Sequence, residues 1–337
     1  RIGLWPRLAG HASDLQVMRI VDAGGKEVAP RLSADFNAAD IGERPFGWNL
    51  PNWLLRRELL AHLAEQPSVT FLSGVSVTKV TARLADAVVR LSNGTQAKTR
   101  LLVGADGRDS VVRGGLNIGR RRTQYDQKAL AFAVTHPEPH NQVSTEIHRS
   151  GGPFTLVPLP DHDGGPCSAV VWMERPARAD ALATMDEAEF NAEATARSCG
   201  LFGPLKLATR RTVWPMIAQV ADRFCGPRTA LMAEAAHVVP PIGAQGLNMS
   251  LGDLGALLDL MGDDASKLGD ASLLKRYDRM RRPEVTARVL GVDMLNRFSM
   301  VEAQPLRDLR RTGLQALYGL APVRRLAMHA GLGARGR

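Results

Sequence analysis

Apolar positions recur in two alternating periods along the first third of the chain. Residues 15–21 read as a strand, and Asp22 to Gly25 as the turn that closes a hairpin. Residues 43–51, with Phe46, Trp48 and Asn49, form a loop. Leu55, Leu59, Leu60 and Leu63 share one face of a helix over residues 54–63, which also carries Arg56 and Arg57. The pattern then switches to strands. Val75, Val77 and Val80, then Val88, Val89 and Leu91, flank charged positions, and Asn93-Gly94 is the preferred pair for a tight hairpin turn. Leu101, Leu102 and Val103 are apolar in succession, which predicts a strand buried on both faces.

Short apolar runs at 129–134, 143–147, 154–157 and 169–172, broken by Pro, Gly and His, suit an antiparallel sheet. A helix over 186–198, capped by Thr184, precedes a further strand region at 205–216. Residues 229–232 read as a buried strand, Pro240-Pro241 stops regular structure, and Leu247, Leu251, Leu254, Leu257 and Leu258 take helical spacing from Gln245 onward. Two more helices follow, 271–280 and 284–296, separated at Pro283. Residues 306–337 carry seven arginines against the single acid Asp308, with Leu306, Leu309, Leu314, Leu317 and Leu320 interleaved. That is a basic amphipathic segment, of the kind that lies in a membrane interface or packs on a core with its arginines in water.

Composition changes this picture little. A length of 337 residues suggests two domains, and 45% apolar with 23% charged residues is ordinary for a globular protein. No run of about 18 apolar residues is present to span a bilayer. Cys167, Cys199 and Cys225 lack any metal spacing, and with no secretory leader they fit a reducing, cytoplasmic compartment. The net charge of +9, with paired arginines at 120–122, 281–282, 310–311 and 324–325, implies a solvated basic face or one that meets anionic lipid. Zinc spacing and a recognition helix are both lacking, which argues against nucleic acid. His136, His140 and His148 read as loop or surface residues rather than metal ligands. A nucleophile elbow, a phosphate loop and a catalytic carboxylate pair are equally absent, so the hard chemistry falls to a cofactor.

Two stretches have the grammar of a ligand-binding turn, an apolar strand running through small residues and an acid into a helix. One is Gly-Ala-Asp-Gly at 104–107, where Asp106 can accept from hydroxyls or loop amides. The other is Ala-Glu-Ala-Ala-His-Val-Val-Pro-Pro-Ile-Gly-Ala-Gln-Gly-Leu-Asn at 233–248, where first-turn amides point back into the loop. Together with residues 152–160 and 168–172, they resemble the flavin-dependent aromatic hydroxylases, and more closely the ubiquinone-biosynthesis hydroxylases, over nearly the whole chain. Two departures stand out. Ala233-Glu234 replaces the family's Gly-Asp, and the opening Gly-x-Gly-x-x-Gly turn is absent.

The resemblance implies an α/β fold in which a Rossmann-like FAD-binding domain, lacking its first βαβ unit, comprises residues 1–118 and 218–300. An inserted antiparallel-sheet substrate domain would span 119–217, and a basic helical segment 301–337. It also implies FAD contacts from Arg56, Gly104, Asp106, Gly107, Glu234, Pro241, Gly243, Gly246, Leu247 and Asn248, with His237 ordering the loop. A reduced nicotinamide or a partner electron carrier would donate electrons, and oxygen would pass from a flavin C4a-hydroperoxide to a polyprenylated phenol. Partners would be the lipophilic aromatic substrate, dioxygen, and an anionic membrane surface or biosynthetic complex, with the enzyme peripheral on the inner face of the membrane. Two other readings stand beside this one, a non-catalytic scaffold of the same fold and another FAD-dependent oxidoreductase of the superfamily.

Overall fold

A computed structural model describes residues 2–42, 44–149, 151–301 and 303–332. Glu43 of the expected loop, and Arg335 and Arg337 of the basic tail, lie outside the described residues. The strands that matter here are β1 (Val17–Asp22), β2 (Leu32–Asn37), β3 (Val77–Ala82), β4 (Ala87–Leu91), β5 (Gln96–Thr99), β6 (Leu102–Gly104) and β7 (Arg120–Thr135). They continue with β8 (Val143–His148), β9 (Pro153–His162), β10 (Gly165–Glu174), β11 (Thr212–Ala221) and β12 (Thr229–Leu231). The helices that matter here are α1 (Asn52–Ala64), α2 (Val111–Gly115), α3 (Pro176–Thr184), α4 (Glu187–Arg197), α5 (Gln245–Met261), α6 (Ala271–Ser299), α7 (Gln304–Gly319) and α8 (Ala321–Leu332). The chain divides into two compact units, one of residues 1–71, 126–215 and 297–337, the other of 72–125 and 216–296.

The first unit is built on a sheet in the order β7, β10, β9, β8, β1, β2. Its pairs are antiparallel except β8 with β1, which run parallel from Val143 opposite Val17 to His148 opposite Asp22. The strands of residues 120–174 are thus antiparallel to one another, as expected, and the one parallel pair brings in residues 17–22. β1 and β2 thus share this sheet, and residues 1–71 fall in the same compact unit. Leu130, Ile147, Phe154, Leu156 and Trp172 form one apolar layer with Leu182 of α3 and Phe190 of α4. Arg197, at the end of α4, is buried beneath it. Its guanidinium donates to the Ile147 and Gly152 carbonyls, and burial pushes its pKa down to about 10. Gly152 has φ +146, and a Cβ there would come within 2.7 Å of Met173.

Several local expectations are corrected in this unit. The cap of α4 is Asp186, which accepts from the Ala188 amide, because Thr184 ends the preceding helix α3. His136 lies in the loop just after β7, as one of the two expected alternatives has it, but not at the surface. It is buried, bonded to the Glu138 carbonyl and the Ser168 hydroxyl, and burial lowers its pKa. Burial also pushes the thiols of Cys167 and Cys199 up.

The tail reverses the expected sense of its amphipathicity. Leu314, Leu317 and Tyr318 of α7 and Met328 of α8 pack with Ala34, Phe36 and Ile20. Arg310 and Arg324 of the tail point the same way, inward. Arg310 donates to Asp22 at 3.1 Å, Arg31 bridges Asp22 at 2.8 Å and Asp308 at 2.6 Å, and Arg324 lies 3.4 Å from Asp40. Asp22 is only 1% exposed, so its charge has to be matched by these guanidiniums. No helix among the described residues is long and apolar enough to cross a membrane.

The second unit contains the meander β3, β4, β5 and the sheet of β6 with β12. Asn93-Gly94 sits at the β4–β5 turn as expected, with Gly94 at φ +83. Val103 corrects another expectation. It is 40% exposed, so among the described residues one face of β6 is left partly uncovered. Pro283 does not break its helix either, since α6 runs from Ala271 to Ser299. The interior proline costs about 3 kcal/mol, offset by burial of Leu273, Leu274 and Tyr277 before it and Val285 and Val289 after it.

Asp22→Asn should lower the free energy of unfolding by about 2–3 kcal/mol, since it leaves two mostly buried guanidiniums undercompensated. Urea denaturation measures it, and a midpoint unchanged from the wild type would contradict the role given to Asp22.

Candidate functional site

The two fingerprint turns leave the same end of one parallel strand pair. Leu102, Val103 and Gly104 of β6 lie opposite Thr229, Ala230 and Leu231 of β12, and the Met232 amide donates to the Gly104 carbonyl at 2.9 Å. The crevice beyond the carboxyl ends of parallel strands is where α/β sheets bind ligands. Both turns open there.

In the first turn, a Cβ on Gly104 would stand 2.8 Å from Val112 and 2.9 Å from Leu231. This glycine is required by packing behind the turn. Asp106 accepts from the Ser110 hydroxyl at 2.5 Å and the Val112 amide at 3.0 Å, and so secures the start of α2. Gly107 takes φ +83, and the space where a side chain would point is open. Arg113 is buried and donates to the carbonyls of Ala235 at 2.8 Å and Arg108 at 2.9 Å. It joins the two turns through their backbones. Burial, reinforced by the charge of Arg120, lowers its pKa.

The second turn is held by a carboxylate from α5. Asp253, fully buried, accepts from the Ala233 amide at 3.1 Å, from His237 Nε2 at 2.6 Å and from Arg281 Nε at 2.9 Å. Arg281 also donates to the Met249 carbonyl at 3.2 Å and to Glu284 at 2.5 Å. Burial works against the charge on Arg281, but the hydrogen bond and charge of Asp253 raise its pKa on balance. Tyr277 completes the back of the site, donating to the Leu231 carbonyl at 2.9 Å, with burial holding its hydroxyl protonated. His237 orders the loop. Arg281 is thus no part of a solvated basic face.

The front of the site is open. Glu234, Pro241, Gly243, Gly246, Leu247 and Asn248 are all exposed. The Glu234 carboxylate lies 3.4 Å from Arg108, so the acid of the second turn is paired with a residue of the first. α5 starts at Gln245 after Gly243 and Ala244, at φ +64 and +51, and carries no side-chain cap. Its first-turn amides lack intrahelical partners and carry the positive end of the helix dipole. A cavity of about 260 Å³ is lined by Glu234, His237, Val238, Gly246, Leu247 and Ser250. That is below the roughly 300–1,000 Å³ of a complete small-molecule site, and suits one segment of an extended ligand.

The structure therefore brings together Asp106, Gly107, Glu234, Gly246 and Leu247, with Pro241, Gly243 and Asn248 on the same loop and helix start. Gly104 sits behind them. Arg56 belongs to the other unit, exposed on α1. The sequence reading missed Asp253, Arg113, Arg281 and Tyr277. Asp253 had a visible signal, an acid inside the apolar run of α5, whose buried face is Met249, Asp253, Ala256 and Leu257 rather than the leucine stripe.

Comparison with known proteins gives the same direction. The family model described as FAD binding domain matches residues 1–290. The chain is 31% identical to the ubiquinone hydroxylase UbiL of Rhodospirillum rubrum, over 98% of this chain and 76% of the relative. It is 27% identical to the 3-demethoxyubiquinol 3-hydroxylase of Escherichia coli, over 88% of this chain and 76% of the relative. Among solved structures, p-nitrophenol 4-monooxygenase PnpA from Pseudomonas putida superposes with a TM-score of 0.78 at 16% identity, covering 99% of this chain and 87% of that one. At that identity the likeness concerns the fold.

Two substitutions test the locked back of the site. Ala233, at φ +53, is strained by about 1–2 kcal/mol, so Ala233→Gly should stabilise by about 0.5–1 kcal/mol after the added freedom of the unfolded glycine is subtracted. Asp253→Asn should destabilise by about 3 kcal/mol, because Arg281 stays buried with its charge unmatched. Chemical denaturation of both variants reads these, and an Asp253→Asn protein as stable as the parent would remove the clamp from the argument.

Proposed function

Because the chain belongs to the FAD binding domain family, among its ubiquinone hydroxylases, we propose that the two turns at the ends of β6 and β12 hold FAD beside an aromatic ubiquinone precursor. The enzyme is an FAD-dependent monooxygenase that hydroxylates an aromatic ring. Bound FAD, reduced by a nicotinamide or a partner electron carrier, supplies the oxygen chemistry. The protein's own residues bind and orient.

The observation that carries this reading is the contrast between the two sides of the site. Behind it, Arg113, Asp253 and Arg281 fix both turns through buried hydrogen bonds. In front, an acid from each turn and an uncapped helix start face solvent. That donor set fits a flavin. Glu234 can accept from ribityl or ribose hydroxyls, and Arg108 holds its longer side chain toward the first turn. Amides at Gly246, Leu247 and Asn248 suit negative charge on the pyrimidine end of the ring. Gly107, Pro241 and Gly243 allow the ligand close approach, Asp106 shapes the first turn, and Gly104 acts through the packing that spaces it. Arg56 would bind a phosphate only if α1 reaches the cofactor.

The finer reading is that the substrate is a polyprenylated phenol and that the enzyme works at an anionic membrane surface. The similarity to ubiquinone hydroxylases and the chain's net charge of +9 support it.

Purified protein should retain FAD and, given reduced nicotinamide, dioxygen labelled with ¹⁸O and a prenylated phenol, release a product carrying one labelled oxygen. Nicotinamide consumption without that label in the product would sink the hydroxylase assignment. Glu234→Gln should raise the FAD dissociation constant about ten-fold, the loss of one charge-assisted hydrogen bond. Its melting temperature should not change, because the side chain is half exposed. Arg56→Ala, titrated in parallel, leaves FAD affinity untouched if α1 takes no part.

A further inference from the structure

The tail presents an apolar face to solvent while Arg307, Arg310 and Arg324 are turned inward. On α7, the most exposed residues include Pro305, Leu306, Leu309, Thr312, Gly313 and Ala316, none of which is charged. At 100° per residue these six fall within one arc of about 120°. Leu306 is 51% and Leu309 63% exposed. The opposite face holds Arg307, Arg310, Leu314 and Tyr318, committed to the protein by the Arg310 bond to Asp22 and by packing on Phe36. α8 repeats the arrangement. Met328 and Arg324 face inward, and Val323 and Leu326 face outward, Leu326 at 71% exposure beside the exposed Arg325.

Such a face has no folding role that these contacts reveal. Helix α7 is amphipathic in sequence, yet its outward arc is the uncharged one, which is costly in water. We propose that the outward faces of α7 and α8 are a docking surface for an anionic lipid membrane, with Leu306, Leu309, Val323 and Leu326 entering the acyl boundary. This rests on the membrane reading above and names the surface that would serve it. Charge complementarity favours lipid over a second copy of the chain. Arg325, exposed beside Leu326, flanks the apolar arc of α8, where a lipid phosphate would lie, and the whole chain carries +9. A second copy would bring the same cation against it. The inward ion pairs have a consequence of their own. They tie α7 to Asp22 and Arg31 and α8 to Asp40, so the apolar arcs are preformed rather than assembled on contact.

The test uses the full chain and sedimentation with phosphatidylcholine vesicles, with and without phosphatidylglycerol. Wild-type protein should bind the anionic vesicles, less so as salt is raised. Leu309→Glu and Leu326→Glu should each lower partitioning by about ten-fold, as expected for placing a charge in an apolar contact. Neither residue lies in the core, so melting temperature and FAD absorbance report whether fold and flavin site are intact. Those readouts, with no turnover involved, separate failure of this surface from failure of the hydroxylase reading. Partitioning unchanged in both variants would overturn the proposal. So would a wild-type protein that ignores anionic vesicles but elutes as a dimer which Leu309→Glu converts to monomer, since the face would then join two copies.

Discussion

One buried carboxylate holds the site in shape. Asp253 receives the Ala233 amide, His237 and Arg281, so a single group on α5 fixes a strained turn, the loop after it and the neighbouring helix α6. A charge at zero exposure is tolerable only because the guanidinium compensates it and the remaining lone pairs are filled. This coupling also accounts for Ala233. A left-handed alanine is unfavourable by itself, and it persists because its amide is committed to Asp253. The family's glycine would relieve that strain without altering the bond.

The division between a locked back and an open front follows from the same arrangement. Polar atoms needed for shape are satisfied inside the protein, as with Arg113 on the Ala235 and Arg108 carbonyls. Those available to a ligand are at the surface, namely the Glu234 carboxylate and the first amides of α5. Preorganisation of this kind lets a cofactor bind without the loop having to order at the same time. Glu234, one methylene longer than the family's aspartate, stays near the first turn because Arg108 is opposite it.

Much of this was legible where local chemistry decides. The Asn93-Gly94 turn, the strand–turn–helix grammar around Asp106 and Glu234, and helix α1 all follow from short-range preferences. The misreadings share another cause. Val103 is apolar yet exposed because its face of β6 is left partly uncovered, and what packs on a face is not set locally. Pro283 remains within α6 because burial on both sides of it outweighs one lost hydrogen bond. Arg281 looked like half of a surface pair, while its partner Asp253 lies 28 residues away. For His136, a neighbouring carbonyl and the Ser168 hydroxyl make burial acceptable, and only the β7–β10 pairing brings Ser168 there.

The tail shows the limit most clearly. An amphipathic helix specifies two faces but not which of them turns inward, because periodicity is the same in either sense. What decides is the surface it meets. Here that surface offers Asp22 and Asp40 as well as Phe36, so a face mixing arginines with Leu314 and Tyr318 gains both ion pairs and apolar burial. The purely apolar arc has no acid to find and stays outside. Read alone, seven arginines among leucines suggest cations in water over a greasy underside. Read against Asp22 and Asp40, Arg310 and Arg324 belong to the underside, and Leu306, Leu309 and Leu326 are what the protein shows to its surroundings.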